Sequence, residues 1–191
     1  MPLQTPFKSF YYVRHGVTAA NQSGLWCGGD WDIDLHPDGR IQAANLAPKI
    51  AALRGEVDQV FSSPMVRALQ TTELVNAQAA HPVTVVDDLR EWRIGQLERT
   101  PWSNALMSTS IDQWADPPGG ETILQFKQRV QRGLVHCLEQ AQSPLLVSHG
   151  AVGMIVSHIL GIPETKFANC ELYHITSRPQ NGATVWALTA R

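Results

Sequence analysis

Two histidines of this sequence follow apolar runs that end in the same way. His15 follows residues 10–13 and Arg14, His149 follows residues 145–148, and a glycine comes directly after each histidine. Such runs are typical of buried strands that end in a tight turn before a helix. Ligands of open α/β sheets bind at the carboxyl ends of the strands, so the two imidazoles are expected to share one crevice. An arginine beside a histidine at that position suggests an anion bound next to a nucleophile or a base.

Two further polar side chains are expected at the same edge of the sheet. A strand over residues 57–62 is followed by Pro64, which suits a helix start, and Arg67 lies in the first turn of that helix. A helix N-terminus and an arginine fork both favour a phosphate group. Glu91 follows a strand over residues 83–86 and supplies a carboxylate. Taken singly, Arg67 has the plainer interpretation of a surface residue and Glu91 that of a solvated loop acid, but both follow predicted strands.

The elements that must position these side chains alternate between strand and helix. The helix that opens at Pro37 is expected to use Ile41, Ala44, Ala47 and Leu53 as its apolar positions, with Pro48 bending or restarting it. Residues 91–118 have no clean period and indicate a loop-and-helix excursion. The alternation predicts a three-layer α/β/α sandwich with a mostly parallel central sheet, in a single domain over residues 1–191. The other predicted helices are 65–78, 121–141 and 150–160, and the strands are 10–13, 57–62, 83–86, 145–148, 172–176 and 183–188.

The composition restricts the class of protein. The chain has 191 residues, 43% of them hydrophobic and 17% charged, which indicates a globular protein. Fifteen basic and seventeen acidic side chains leave a net charge of −2, which argues against a general nucleic-acid or membrane-surface binder. The cysteines form no CxxC pair and are odd in number, which indicates reduced thiols in a cytoplasmic protein. They are Cys27, Cys137 and Cys170.

Two segments bear on membrane association and export. Residues 1–9 contain no apolar core of signal-peptide length. Residues 143–163 lack Asp, Glu, Lys and Arg, but their histidines, serines and glycines favour a buried strand and helix over a membrane span. No heptad pattern or large apolar edge decides between a monomer and a homodimer. No HxxxH or similar pair predicts a metal site, and the remaining histidines are interpreted as packed or solvated: His36, His81, His136, His158 and His174.

A series of motifs covers nearly the whole chain: Arg14-His15-Gly16-x-Thr18-x-x-Asn21, Gly28 with Asp34-Leu35, Gly39-x-x-Gln42-Ala43, Ser62-Ser63-Pro64-x-x-Arg67-Ala68-x-Gln70-Thr71, Leu89-Arg90-Glu91-x-x-x-Gly95, Gly119-Gly120-Glu121-Thr122 and Ser148-His149-Gly150. In this order the motifs resemble the histidine phosphatase superfamily, also called phosphoglycerate-mutase-like. Two positions depart from the family pattern. Val17 stands where the family very often has Glu, and Leu97-Glu98-Arg99 replaces the Trp-Glu-Gly that usually follows Gly95.

The resemblance implies a phosphohistidine mechanism without a metal ion or other cofactor. His15 would take the phosphoryl group, and Arg14, Arg67 and His149 would compensate its charge and donate hydrogen bonds. The two guanidinium groups should keep His15 neutral and nucleophilic, with its other ring nitrogen donating to a carbonyl. Glu91 would protonate the departing oxygen and then deprotonate the attacking water. The residues that would bind substrate are Asn21, Cys27, Gly28 and Gly150.

Three functions are compatible with the resemblance: a phosphatase, a mutase, and a phosphate-binding module that has lost turnover. Family mutases are usually longer after the catalytic acid and carry extra basic residues. Here residues 95–118 are few and only Arg99 among them is basic, which favours a phosphatase acting on a small phosphorylated molecule. Both His15 and Glu91 are present, which argues against a pure binding module.

Five of the six tryptophans fall in the two loop regions expected to cover the site. They could stack on a ring or exclude water, although tryptophans of this kind more often anchor loops. The turn over residues 24–28 and the short cover resemble the α-ribazole phosphatases, which suggests a ringed leaving group, and sugar phosphates and other phosphomonoesters stay open. These tryptophans are Trp26, Trp31, Trp92, Trp102 and Trp114.

Overall fold

A six-stranded mixed sheet forms the centre of the fold. The computed structural model describes residues 8–103, 106–107, 110–163, 165–181 and 183–191. Within them the strands are β1 Phe10–Arg14, β2 Gln59–Ser62, β3 Val83–Val85, β4 Pro144–Ser148, β5 Leu172–Gln180 and β6 Ala183–Ala190. They lie across the sheet in the order β3-β2-β4-β1-β5-β6.

The strands that lead to the predicted site run parallel to one another. β3, β2, β4 and β1 pair in parallel, whereas β5 pairs antiparallel with both β1 and β6. Arg14 lies opposite Ser148 in the register of β1 and β4, so His15 and His149 leave the sheet side by side. The mostly parallel sheet is confirmed, and the antiparallel pairings are the part that the alternation of elements did not specify.

Helices cover both faces of the sheet, as the three-layer prediction requires. Phe10 and Tyr12 pack in one core cluster with the helices over residues 123–140 and 150–159, and Tyr11 and Val13 pack in another with the helices over residues 37–52 and 66–76. Successive side chains of a strand point to opposite faces, so β1 is buried on both sides and its sequence is continuously apolar. The helices are α1 Ala19–Gln22, α2 Pro37–Ala52, α3 Val66–Asn76, α4 Ile123–Gln140 and α5 Gly150–Ile159.

The buried face of α2 differs from the prediction. Ile41 is 58% exposed and Ala44 is also exposed, whereas Leu46 and Ile50 are buried. The buried face also contains Gly39 and Ala43, because α2 packs closely and small side chains fit there. The helix continues through Pro48 without restarting. The predicted positions Ile41 and Ala44 are therefore wrong, whereas Ala47 and Leu53 are buried as expected.

The excursion predicted over residues 91–118 contains two short 3₁₀ turns, at Gly95–Leu97 and Ile111–Gln113, and no α-helix among its described residues. Parts of this prediction lie outside the described residues, at 104–105 and 108–109. The uncharged segment over residues 143–163 forms β4 and α5, as expected. In the described ranges, no helix is both long and apolar enough to cross a bilayer.

Candidate active site

His15 leaves β1 at the edge of the sheet and is almost fully buried. Its backbone N–H donates to Ser148 O at 2.9 Å, which ties the end of β1 to the end of β4. Its Nδ1 lies 2.7 Å from Gly16 O, and because a carbonyl only accepts, Nδ1 carries the proton and Nε2 keeps a lone pair. Burial and the charges of Arg67 and Arg14 lower the pKa of His15 well below its usual value, so the ring is neutral at neutral pH.

Two guanidinium groups accompany this histidine, that of the partly buried Arg14 and that of the fully buried Arg67. Arg14 donates from Nη1 to Phe167 O at 2.9 Å. Arg67 donates from Nη2 to Gly28 O at 2.8 Å and from Nη1 to Trp31 O at 3.3 Å. Arg67 is 0% exposed, so its interpretation as a surface residue is wrong. The first turn of α3 follows β2 directly, and this places the side chain at the same edge of the sheet as His15.

His149 lies beside His15, with ring centroids 5.1 Å apart. Its Nε2 is 2.7 Å from Ser63 Oγ, and the same oxygen accepts the N–H of Met65 at 3.3 Å. Ser63 Oγ accepts from Met65 and keeps its own proton to donate to Nε2, and in this arrangement the His149 proton lies on Nδ1. Burial and the charge of Arg67 lower the pKa of His149 well below its usual value. In this arrangement the neutral His149 ring offers an N–H donor from Nδ1.

Three buried donors at this edge have no hydrogen-bond partner within the described chain: Arg14 Nε, Arg67 Nε and His149 Nδ1. A buried donor without an acceptor destabilises a protein by about 1–3 kcal/mol. A tetrahedral anion carries several acceptor oxygens and compensates charge from two guanidinium groups. The residues present thus fit a phosphoryl group.

Glu91 enters from the loop after the 3₁₀ turn Asp87–Leu89. Its Oε1 accepts the N–H of Trp92 at 2.9 Å, and its Oε2 accepts the N–H of Ala151 at 3.3 Å, in the first turn of α5. The positive end of a helix dipole stabilises a carboxylate at that position. Ser148 Oγ donates to Leu89 O at 2.8 Å, so the loop that carries Glu91 is tied to the end of β4.

A buried ion pair supports this loop from the other side. Arg129 of α4 donates from Nε and Nη2 to both oxygens of Glu121, at 2.8 and 2.7 Å. The same guanidinium group donates to Asp88 O at 3.0 Å, Arg90 O at 2.8 Å and Glu91 O at 3.3 Å. Sequence reasoning noted Glu121 within a motif but gave neither Glu121 nor Arg129 a role. Side-chain pairs on a helix form between residues three or four positions apart, whereas Glu121 and Arg129 are eight positions apart. The sequence therefore could not predict this contact.

A cavity of about 590 Å³ opens onto these groups. Asn21, Cys27, Gly28 and Gly150 line it as predicted, whereas His149 is not among the lining residues. The other lining residues in the described chain are Arg14, His15, Leu25, Trp26, Arg67, Glu91, Trp92, Ile94, Trp102, Met107, Ala151, Met154, Lys166 and Phe167.

The two glycines of the lining are required by their surroundings. Gly28 has φ +65°, and a Cβ there would clash with the carboxylate of Glu98. A Cβ on Gly150 would lie 3.3 Å from Cζ of Arg14, so glycine lets the guanidinium group approach the start of α5. Any larger residue at either position would displace a neighbour that forms the site.

Some of the tryptophans anchor loops, whereas others line the cavity. Trp92 stacks between Trp114 and Phe126, with centroids 5.5 and 5.6 Å away, and therefore anchors its loop in the core. Trp26 and Trp102 lie with ring centroids 5.8 Å apart and both line the cavity. Lys166, for which the sequence held no signal, lies 6.0 Å from the Trp102 ring centroid.

The remaining histidines lie outside this cavity, as interpreted. His36 caps α2, His136 contacts the Phe61 ring, His158 pairs with Asp112 and His174 stacks on Tyr11; His81 does not line the cavity either. Among the described residues, no group of three or more His, Cys, Asp or Glu side chains is placed to hold a metal ion.

Comparison with known proteins agrees with this geometry. A family model of the histidine phosphatase superfamily (branch 1) matches residues 10–187. The chain belongs to this superfamily. Over 183 residues it is 32% identical to the probable phosphoglycerate mutase GpmB of Salmonella choleraesuis (strain SC-B67), covering 86% of this chain and 83% of that protein.

Solved structures share the fold over most of their length. The α-ribazole phosphatase from Shigella flexneri is 25% identical with a TM-score of 0.74, covering 96% of this chain and 96% of that chain. A phosphoglycerate mutase from Thermus thermophilus is 28% identical with a TM-score of 0.70, covering 87% of this chain and 92% of that chain. The phosphoglycerate-mutase-like fold is thus confirmed, and the histidine phosphatase relatives include proteins named as phosphatases and as mutases.

The two departures from the histidine phosphatase pattern leave the polar groups of the cavity in place. Val17 does not line the cavity, and its N–H donates to Gln42 Oε1 at 3.0 Å. Arg99 has φ +67° at the position where the family usually has glycine, and its guanidinium group lies 5.2 Å from the Trp31 ring centroid. Glu98 Oε1 accepts the N–H of Asp30 at 2.8 Å, which holds this loop against the turn after Gly28.

Proposed function

We propose that the protein is a metal-independent phosphatase that hydrolyses a small phosphomonoester through a phosphohistidine on His15. The observation that carries the proposal is a buried, neutral imidazole flanked by two arginines, with three unpaired donors at the same edge of the sheet. Phosphoryl transfer asks the protein mainly for in-line positioning and for compensation of charge on the equatorial oxygens. Arg14, Arg67 and the Nδ1–H of His149 supply that compensation.

The reaction has two displacements at phosphorus. Nε2 of His15 forms a bond to phosphorus while the bond to the leaving oxygen breaks, and Glu91 gives that oxygen a proton. A water molecule then loses a proton to Glu91 and attacks phosphorus, the N–P bond breaks, and inorganic phosphate leaves. Glu91 suits both proton transfers because it is the one carboxyl group lining the cavity in the described chain.

A phosphatase is favoured over a mutase by the charge of the cavity. A mutase must hold the carboxylate of a phosphoglycerate and must retain a second phosphoryl group. Apart from Arg14 and Arg67, Lys166 is the one Lys or Arg side chain among the described lining residues. Arg99, the single basic residue of the segment after Gly95, lies over Trp31 instead. The resemblance to named mutases keeps mutase activity as the second candidate.

The test is hydrolysis of p-nitrophenyl phosphate in excess chelator. We expect turnover in the wild type and a loss on the order of 10⁴-fold or more in His15→Ala, because the nucleophile is removed. His158→Ala, which alters a histidine outside the cavity, is the matched control. Full activity of His15→Ala would exclude the assignment.

Two further measurements separate the alternatives. An alkaline quench during turnover should trap an acid-labile phosphoenzyme in the wild type and none in His15→Ala, whereas a binding module forms none. With 3-phosphoglycerate and catalytic 2,3-bisphosphoglycerate, formation of 2-phosphoglycerate faster than phosphate release would favour the mutase. A panel of phosphomonoesters that includes α-ribazole phosphate and sugar phosphates then identifies the substrate.

A further inference from the structure

Much of the cavity wall takes no part in the proposed chemistry. The phosphoryl end is formed by charged and hydrogen-bonding groups, whereas most of the remaining lining is aromatic, aliphatic or thioether in character, with Lys166 as its one charged side chain among the described residues. Apart from Lys166, this wall has little to offer the hydroxyl groups of a sugar or the carboxylate of a phosphorylated acid, but it matches an apolar ring. Its members are Leu25, Trp26, Trp92, Ile94, Trp102, Met107, Met154 and Phe167.

Part of this wall joins two loops by backbone hydrogen bonds. Trp26 N–H donates to Thr100 O at 2.9 Å, Arg99 N–H donates to Trp26 O at 2.8 Å, and Trp102 N–H donates to Gly24 O at 2.7 Å. These hydrogen bonds hold the backbone of Trp26 and Trp102 side by side, and their ring centroids lie 5.8 Å apart. Preorganised aromatic surface binds a ring without a large loss of side-chain entropy.

The two rings differ in burial. Trp26 is 8% exposed, whereas Trp102 is 50% exposed and is one of the few large apolar side chains of the described chain that remain open to solvent. The exposed ring lies at the cavity, next to the buried one, and the ammonium group of Lys166 is 6.0 Å from its centroid. An exposed indole continuous with a phosphate site is a surface on which a ligand ring can be buried.

We infer that the surface formed by Trp26 and Trp102 is a leaving-group subsite for an aromatic ring, so that the enzyme prefers phosphomonoesters of ring-bearing alcohols. The inference rests on the proposed phosphatase function. It specifies the leaving group attached to the ester oxygen. The proposed chemistry at His15 does not depend on the identity of that group. Ring binding at this wall should lower KM and hold the ester in line with His15, because binding energy away from phosphorus can orient the reacting group.

The test compares 2-phenylethyl phosphate with ethyl phosphate, since both release a primary alcohol and the chemical step is therefore matched. We expect kcat/KM to be at least about 10-fold higher for the phenylethyl ester, as burial of a ring should give. Trp102→Ala should reduce this ratio to below about threefold. Ile41→Ala removes an exposed apolar side chain on α2, outside the cavity lining, and should keep the wild-type ratio.

Binding without turnover gives an independent measurement. The dissociation constant of 3-phenylpropylphosphonate, measured by calorimetry, should be at least about 10-fold lower than that of propylphosphonate in the wild type, and Trp102→Ala should remove the difference. If neither ester is hydrolysed, the phosphatase proposal fails, and the phosphonate pair still decides the subsite. Equal kcat/KM for the two esters, equal affinity for the two phosphonates, or a higher kcat/KM for 3-phosphoglycerate than for the phenylethyl ester would overturn the subsite.

Discussion

The two ends of the cavity are built in different ways. The phosphoryl end is formed where β1 and β4 terminate and where α3 and α5 begin, and its His15 and Arg67 side chains are buried and hydrogen-bonded to backbone carbonyl groups. The tryptophan end is formed by loops, and Trp102 within it is half exposed. In the proposed phosphatase, the sheet would determine the reaction, whereas the loops would determine which ester reaches His15.

The strongest test of this division is at Arg67. Arg67→Met removes a buried charge at the phosphoryl group and two hydrogen bonds to the turn after Cys27. We expect kcat/KM to fall by about 10³-fold for both alkyl and arylalkyl phosphates, because the charge acts on the phosphoryl group that they share. Steady-state kinetics check this, with the exposed Arg54→Met as control. A loss confined to the arylalkyl ester would show that the two ends are not separable.

A smaller effect is expected from the ion pair behind the catalytic loop. Arg129→Met should lower kcat by about 10- to 100-fold with little change in KM. The loop that carries Glu91 loses its support, whereas the side chains proposed to bind the phosphoryl group stay in place. Arg129→Lys should recover part of the loss. An unchanged kcat in folded Arg129→Met would exclude a positioning role.

The same variant should also lower the free energy of unfolding. Removing one member of a buried ion pair costs about 3–5 kcal/mol, because Glu121 would remain charged and buried. The double variant Glu121→Gln with Arg129→Met should recover part of this stability, measured by urea unfolding, while kcat stays low. Equal stability of the single and double variants would contradict the pairing.

The pH dependence of stability tests the burial of the phosphoryl end. The folded pKa of His15 is lowered mainly by burial, so below about pH 6.5 the unfolded chain binds a proton that the folded chain does not. The free energy of unfolding should therefore decrease as the pH is lowered below about 6.5, by about 1.4 kcal/mol per pH unit for this histidine. Above pH 7 the stability should be fully retained. His15→Asn should lose up to about 2 kcal/mol less between pH 7 and pH 5 than the wild type. Urea unfolding measures this, with the exposed His136→Asn as control, and an unchanged slope in His15→Asn would contradict it.

The smallest effect is expected at Cys27, which lies between the two ends. Burial raises the pKa of its thiol to about 11, so the side chain is neither a nucleophile nor a charge at neutral pH. Cys27→Ala should change kcat/KM by less than about threefold, whereas alkylation by iodoacetamide at pH 7.5 should be far slower than for a free thiol. A loss above 30-fold, on the order of an oxyanion donor, would assign the side chain to the phosphoryl end.

The phosphoryl end could be predicted because the sequence indicates where the buried strands end. The apolar runs before His15 and His149 predict buried strands, and parallel pairing brings their ends to one edge. Arg67 and Glu91 follow other strands of the same parallel set. The pairing of Arg129 with Glu121 could not be predicted, because it depends on how α4 packs against a loop and not on any local period.

The tryptophan end and the face of α2 show the opposite case. Ile41 is a large apolar residue of the type expected in a core, but it is exposed. The buried face of α2 packs closely and uses small residues such as Ala43 instead. Trp92 and Trp102 both occur in loop sequence, yet one is an anchor in the core and the other is half exposed at the cavity. Their separation depends on tertiary contacts of loops that lack a repeating pattern.

The hydrogen bonds around Ser148 affect how this part of the molecule unfolds locally. Its carbonyl accepts the N–H of His15, its hydroxyl group donates to Leu89 O, and the N–H of Ser63 donates to the preceding Val147 O at 3.0 Å. The segments that carry His15, Glu91 and His149 are thus joined at the end of one strand. In hydrogen-exchange measurements, the amides of His15 and Ser63 should open together as one cooperative unit, while the amide of Trp102 should exchange independently and sooner.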